Sequence, residues 1–162
     1  MPVDYLAGYP DRIRDHAWEL LEAGVLEERL LARHPEPNPA FDNARLYSFT
    51  QDLKRDRMKS APPLGKVRYC EKIGTVHRAL GLHTYAVHQQ GAKLKRRNEI
   101  RIGAVFRDLP ADFLRMIVSH ELAHLRHKDH DRAFYQLCVH LEPDYHQLEL
   151  ELRMLLFARS RS

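Results

Sequence analysis

Apolar residues recur at helical spacing from position 11 to about 33, at Ile13, Ala17, Leu20, Leu21, Leu26, Leu30 and Leu31, which predicts one or two helices there. Gly24 falls inside this segment and breaks or bends it. The stretch His34-Pro35-Glu36-Pro37-Asn38-Pro39 is a loop, because each proline lacks an amide donor and restricts the residue before it. A further helix begins near Asp42 or Asn43 as N-cap, carries Leu46, Tyr47, Phe49, Leu53 and Met58, and stops at Ala61-Pro62-Pro63. Another is expected over residues 64–80, with Gly81 as its C-cap.

The period then changes. Residues 84–88 (Thr-Tyr-Ala-Val-His) and 99–105 (Glu-Ile-Arg-Ile-Gly-Ala-Val) read as two strands of an antiparallel hairpin, separated by a strongly basic stretch that contains Gly91. Asp108-Leu109-Pro110 supplies helix-start chemistry. Phe113, Leu114, Ile117, Val118, Leu122 and Leu125 then make a helix that is apolar around most of its girth and belongs in a core. Two more helices are expected, at about 131–141 and 144–159, with Pro143 between them. Neither an internal repeat nor a low-complexity tract interrupts this order.

A chain of 162 residues fits one domain, 1–162, with a helical part to about residue 81 followed by the hairpin and the helices carrying the histidines. Its 44% hydrophobic and 30% charged content is that of a soluble globular protein and argues against disorder. No apolar run approaches the roughly 18–20 residues that cross a bilayer. The start, Met1-Pro2-Val3-Asp4-Tyr5, lacks the basic-then-apolar pattern of a signal peptide, so a cytoplasmic location without a membrane partner is expected. Cys70 and Cys138 fall in different predicted helices and form no CxxC pair, which makes them buried free thiols. The net charge of +4 favours anionic ligands weakly and gives nucleic acid little support as a partner. The unusual number is histidine, at 11.

His120-Glu121-Leu122-Ala123-His124 is an HExxH motif in the middle of the predicted core helix. Positions four apart share a helix face, so two imidazoles converge on one cation while Glu121 projects from beside the first. Zinc lowers the pKa of a coordinated water to about 7, and a carboxylate within reach takes its proton as a general base. A catalytic zinc normally has three protein ligands, and His130, six residues after His124, is the candidate for the third if the chain turns back near Lys128 and Asp129. The interval from the first to the third histidine equals that of the metzincin pattern, but His127 stands where that pattern needs glycine, and Met154 lies in a helix rather than a Met-turn. Random placement of this composition gives the bare motif about 0.05 times, so the motif is informative mainly through the apolar helix around it.

Other candidates are less specific. Asp129, Asp131 or Glu142 could orient a ligand ring, and Tyr135, Tyr145 or Arg132 could stabilise charge in the transition state. The remaining histidines read as surface or structural groups. Lys93, Lys95, Arg96 and Arg97, between the two predicted strands, are either a solvated hairpin tip or a clamp for phosphates.

The residues of this region carry a resemblance. From Lys93 to Glu149, with HELAHL, five residues after the second histidine, and then H-x-x-A-F on His130, Ala133 and Phe134, the chain resembles the YgjP-like proteins. These are zincin-type metallopeptidases, also described as metal-dependent hydrolases. The runs APPLGKVRYCEKI and ALGLHT extend the likeness over most of the chain. The resemblance implies an α+β, zincin-like architecture: a small antiparallel sheet packed on the HExxH helix, with additional N- and C-terminal helices. It implies three histidine ligands for Zn2+ and Glu121 as base, with manganese, cobalt or nickel able to occupy the same donors. It leaves two substrates, a peptide or a nucleotide, because a nucleotide pyrophosphatase activity, especially toward UTP, is also attached to proteins of this type. The basic run suits the triphosphate. Lys93, Lys95, Arg96, Arg97 and Tyr135 are then the substrate-binding candidates, and a nucleic-acid-binding protein stabilised by zinc is the rival from another class.

Overall fold

A computed structural model describes residues 3–82 and 98–161. The first amphipathic segment is two helices, α1 (Asp11–Glu22) and α2 (Leu26–Ala32). Gly24 separates them at φ +75°, a left-handed conformation that a side chain resists. Helix α3 (Asn43–Arg57) starts where the Asp42 carboxylate accepts the Arg45 amide at 2.8 Å, satisfying one of the donors a helix start leaves open.

Residues 64–80 do not form the single helix expected of them. Strand β1 (Val67–Cys70) takes the first half and helix α4 (Ile73–Ala79) the second. Val67 and Tyr69 are buried while Arg68 is exposed, a period of two that suits a β-branched and an aromatic residue on a pleated surface. Tyr69 is fixed at both ends, its amide donating to Asn43 Oδ1 at 2.9 Å and its hydroxyl to the Ala40 carbonyl. Cys70 therefore ends a strand and is half-buried, not a helical core thiol. Gly81 does follow α4 with φ +72°.

The sheet corrects a second expectation. Strand β2 (Ile100–Gly103) pairs with β1 in parallel, from Val67 opposite Ile100 to Cys70 opposite Gly103. Among the described residues the sheet is this parallel pair and not an antiparallel one. Parallel strands need a crossover, and α4 lies within it. It packs so closely on β2 that a Cβ on Gly103 would stand 2.4 Å from Val76 Cγ2. The first strand of the expected hairpin, at 84–88, and the basic residues Lys93, Lys95, Arg96 and Arg97 lie outside the described residues.

A 3-10 turn (Ala104–Asp108) leads into α5 (Ala111–Ala123), followed by α6 (Arg132–Leu141) and α7 (Tyr145–Ser160). Helix α5 buries Phe113, Leu114, Met116, Ile117, Val118 and Leu122, so its all-round apolar surface is enclosed by β2, α6 and α7. Helix α7 buries Leu148, Leu152, Leu155, Leu156 and Phe157, with α2 alongside it. The proline loop is pinned to the start of α5, where the Ala111 amide donates to the Glu36 carbonyl at 2.9 Å.

Three hydrogen-bonded side chains hold α5, α7 and this loop together. His34 is buried between Asp112 on α5, 2.7 Å from Nδ1, and Glu151 on α7, 2.6 Å from Nε2. Burial alone would raise both carboxyl pKa values. Hydrogen bonds from Gln147, His34 and Arg33 instead hold Glu151 low, and those from His34 and Arg115 do the same for Asp112. No described helix is long and apolar enough to cross a membrane.

Candidate metal centre

Helix α5 ends at the motif itself. His124 is its C-cap, and the chain turns through Leu125, Arg126 and His127, whose amides return to the carbonyls of Leu122 and Ala123. The chain bends again at Lys128 and Asp129, where the sequence suggested it turns. It brings His130 back over the helix end before Asp131 caps α6 by accepting the Phe134 amide at 3.0 Å. The imidazoles of His120, His124 and His130 converge there, with one ring nitrogen from each within 4.8 Å of the others. Their ring centroids are 4.8–4.9 Å apart.

The His124 tautomer follows from its partner. His124 Nδ1 lies 2.9 Å from the His127 carbonyl, which only accepts, so Nδ1 carries the proton and Nε2 presents its lone pair. His120 Nδ1 lies 2.8 Å from the Tyr145 hydroxyl. Burial first, and then the Glu149 carboxylate, keeps that hydroxyl protonated. His120 Nε2 is buried with no hydrogen-bond partner among the described residues, an arrangement that costs free energy unless something binds it. His124 Nε2 and His130 Nε2 stand 3.1 Å apart. Two nitrogens sharing a tetrahedral zinc at its usual bond length are separated by about 3.3 Å, so this spacing and the orphaned nitrogen both fit a metal ion.

Burial, and then the neighbouring His124 and His130, holds the His120 pKa well below that of an ordinary histidine. Burial also lowers His130. Both effects favour the neutral, ligating form. Phe134 is fully buried and lies against all three rings, at centroid distances of 4.9, 4.5 and 4.9 Å from His120, His124 and His130. Glu121 is half-buried beside the first ligand, and its charge contributes to raising the Cys138 pKa. Cys138, raised to about 12 first by burial, remains a thiol and is not a ligand of the group.

Sequence reasoning did not find the support behind His120. Tyr145, Glu149 and Arg153 fall at i, i+4 and i+8 on α7, one face of the helix. Arg153 pairs with Glu149 at 2.8 Å and also donates to the Tyr5 and Leu80 carbonyls, so the row is anchored to the start of the chain and the end of α4. Burial, together with Glu149, keeps the Tyr145 pKa far above that of a free tyrosine, so its proton stays committed to this row. The sequence signal was the row of polar residues inside an otherwise apolar helix.

The three carboxylates considered for that role are engaged elsewhere. Asp131 is the α6 cap, Glu142 accepts the Asp144 amide at 2.8 Å, and Asp129 is exposed and acts on His130 only through its charge. Tyr135 is half-buried beside the group, its ring 6.2 Å from that of His130, whereas Arg132 is exposed. Among the other histidines, His34 and His77 are buried with hydrogen-bond partners, and His16, His140 and His146 are exposed.

A family model for the YgjP-like metallopeptidase domain matches residues 18–154. A curated relative, the UTP pyrophosphatase of Escherichia coli (strain K12), is 47% identical over 152 residues, covering 94% of this chain and 91% of that protein. No solved structure matches the chain.

Proposed function

The chain belongs to the YgjP-like metallopeptidase-domain family, and from that premise we propose that it is a metal-dependent hydrolase cleaving UTP to UMP and pyrophosphate. In this reading His120, His124 and His130 are the metal ligands and Glu121 is the general base. The observation that carries it is the convergence of three imidazoles on one small volume, with a buried His120 nitrogen there that has no hydrogen-bond partner among the described residues. The choice of substrate is supported by the relative, whose alignment covers 94% of this chain.

Bound at these residues, a zinc ion supplies Lewis acidity, polarising a phosphoryl oxygen and making water nucleophilic near neutral pH. Glu121 takes the proton of the water that attacks the α-phosphorus. The bond from that phosphorus to the α–β bridging oxygen breaks, and pyrophosphate leaves. Tyr145 and the His127 carbonyl hold two ligand rings in place, and Phe134 packs beneath all three. In this reading Lys93, Lys95, Arg96 and Arg97 are the cations for the triphosphate, and Tyr135, its ring 6.2 Å from that of His130, is a further substrate contact.

A peptidase would use the same base on a peptide carbonyl. The basic run favours the triphosphate, whose charge needs cations that a peptide does not. The test is product analysis with metal-loaded protein offered UTP and, in parallel, casein. Release of UMP and pyrophosphate with casein intact is the expected result. Cut casein with intact UTP would establish the peptidase instead.

A further inference from the structure

Beside the three histidines runs a cleft whose described lining residues are Tyr9, Tyr135, His146, Gln147, Glu149 and Leu150. It shares two walls with the metal centre. The Tyr135 ring lies 6.2 Å from His130 and 6.1 Å from Tyr145, and the charge of Glu149 acts on the Tyr145 hydroxyl, which stands 2.8 Å from His120 Nδ1. A substrate reaching the histidines thus has this cleft next to it.

The lining chemistry selects which part of a nucleotide enters. Its described residues include no lysine or arginine, and the one carboxylate, Glu149, is already paired with Arg153 at 2.8 Å. Such a cleft disfavours a triphosphate and accepts an uncharged ring. Three planar rings line it: Tyr135 and His146 are 5.4 Å apart, and Tyr9 is half-buried with the Arg153 guanidinium 5.7 Å from its ring centre. Leu150 adds apolar surface. Gln147 donates its side-chain nitrogen to Glu151 at 2.8 Å, which fixes the amide and keeps its carbonyl oxygen as the acceptor on offer. Uracil presents an N3–H to such an acceptor, whereas cytosine presents a bare N3.

We propose that this cleft is the base subsite, in which the pyrimidine ring stacks on Tyr9 and Tyr135 and Gln147 discriminates uracil from cytosine. The proposal rests on the pyrophosphatase reading and adds the part of the site that chooses the nucleotide. The triphosphate then extends from Tyr135 toward His130 and the other ligands.

The test compares UTP and CTP kinetics of metal-loaded wild type, Tyr9→Leu, Tyr9→Phe and Gln147→Ala. Tyr9→Leu is expected to raise KM for UTP about ten-fold, within the range that base stacking supports, with kcat little changed and Tyr9→Phe restoring it. Gln147→Ala is expected to narrow the preference for UTP over CTP. Saturation-transfer NMR of UMP on metal-free protein gives a readout apart from turnover: the uracil H5 and H6 protons receive saturation in wild type and lose it in Tyr9→Leu. If wild type hydrolyses UTP but Tyr9→Leu and Gln147→Ala both keep its KM and its preference, the subsite is refuted and the pyrophosphatase stands. If wild type leaves UTP intact, both fall together.

Discussion

The Tyr145 hydroxyl stands 2.8 Å from His120 Nδ1, on the side of the ring opposite the nitrogen that has no partner among the described residues. A tyrosine thus stands beside His120 where a carboxylate or a carbonyl commonly stands beside a metal-ligating histidine, and it holds the ring plane. Burial, with Glu149 behind it, keeps the hydroxyl protonated, and Arg153 compensates the buried carboxylate. Tyr145→Phe keeps the packing and removes this bond. It is expected to weaken zinc binding about 10- to 100-fold, measured by competition with a chromophoric chelator. An affinity equal to wild type would remove Tyr145 from the account.

Metal binding should also be visible in stability. An ion that binds only the folded protein adds about 4 kcal/mol at a thousand-fold excess over its Kd, so the Tm rises with added zinc and falls with chelator. His124→Ala removes one of the three ligands and should abolish most of that rise. A zinc-dependent shift of wild-type size in His124→Ala would place the ion elsewhere.

The contact between β2 and α4 is expected to be intolerant. A methyl group on Gly103 meets Val76 Cγ2 at 2.4 Å, and Val76 is buried and stiff at χ1. Gly103→Ala should cost about 1–3 kcal/mol in urea unfolding, and adding Val76→Ala should recover part of the loss. A double variant less stable than both single ones would show that the clash is not the cause.

The His34 cluster sets an acid limit. Glu151 and Asp112 have folded pKa values below their ordinary ones, so their stabilisation is fully present above the unfolded values, near 4, and fades as pH falls through the lower folded values. The stability gap between wild type and Glu151→Gln should therefore be widest at neutral pH and shrink toward pH 3. A gap constant over that range would mean that Glu151 contributes through packing alone.

Much of this was legible in the sequence. The proline loop, the break at Gly24, the Asp42 cap, the apolar motif helix and the last two helices all rest on local chemistry, and all appear. So did His120, His124 and His130 as a converging set, because helical spacing places the first two and a short turn returns the third. What failed was non-local. Strand β1 was hidden because four alternating residues between prolines and a helix carry little periodic signal, and its parallel partner lies some 30 positions away. The role of Tyr145 was hidden for the same reason, since nothing within α5 indicates which helix will face His120.

The central claim is that Glu121 is the base of a three-histidine metal centre acting on UTP. The most direct measurement determines metal content and UMP release on the same samples of wild type and Glu121→Ala, each loaded with zinc. Equal metal in both, UMP and pyrophosphate from wild type, and a loss of at least about 100-fold in the variant are expected. Undiminished release from metal-replete Glu121→Ala would contradict the claim.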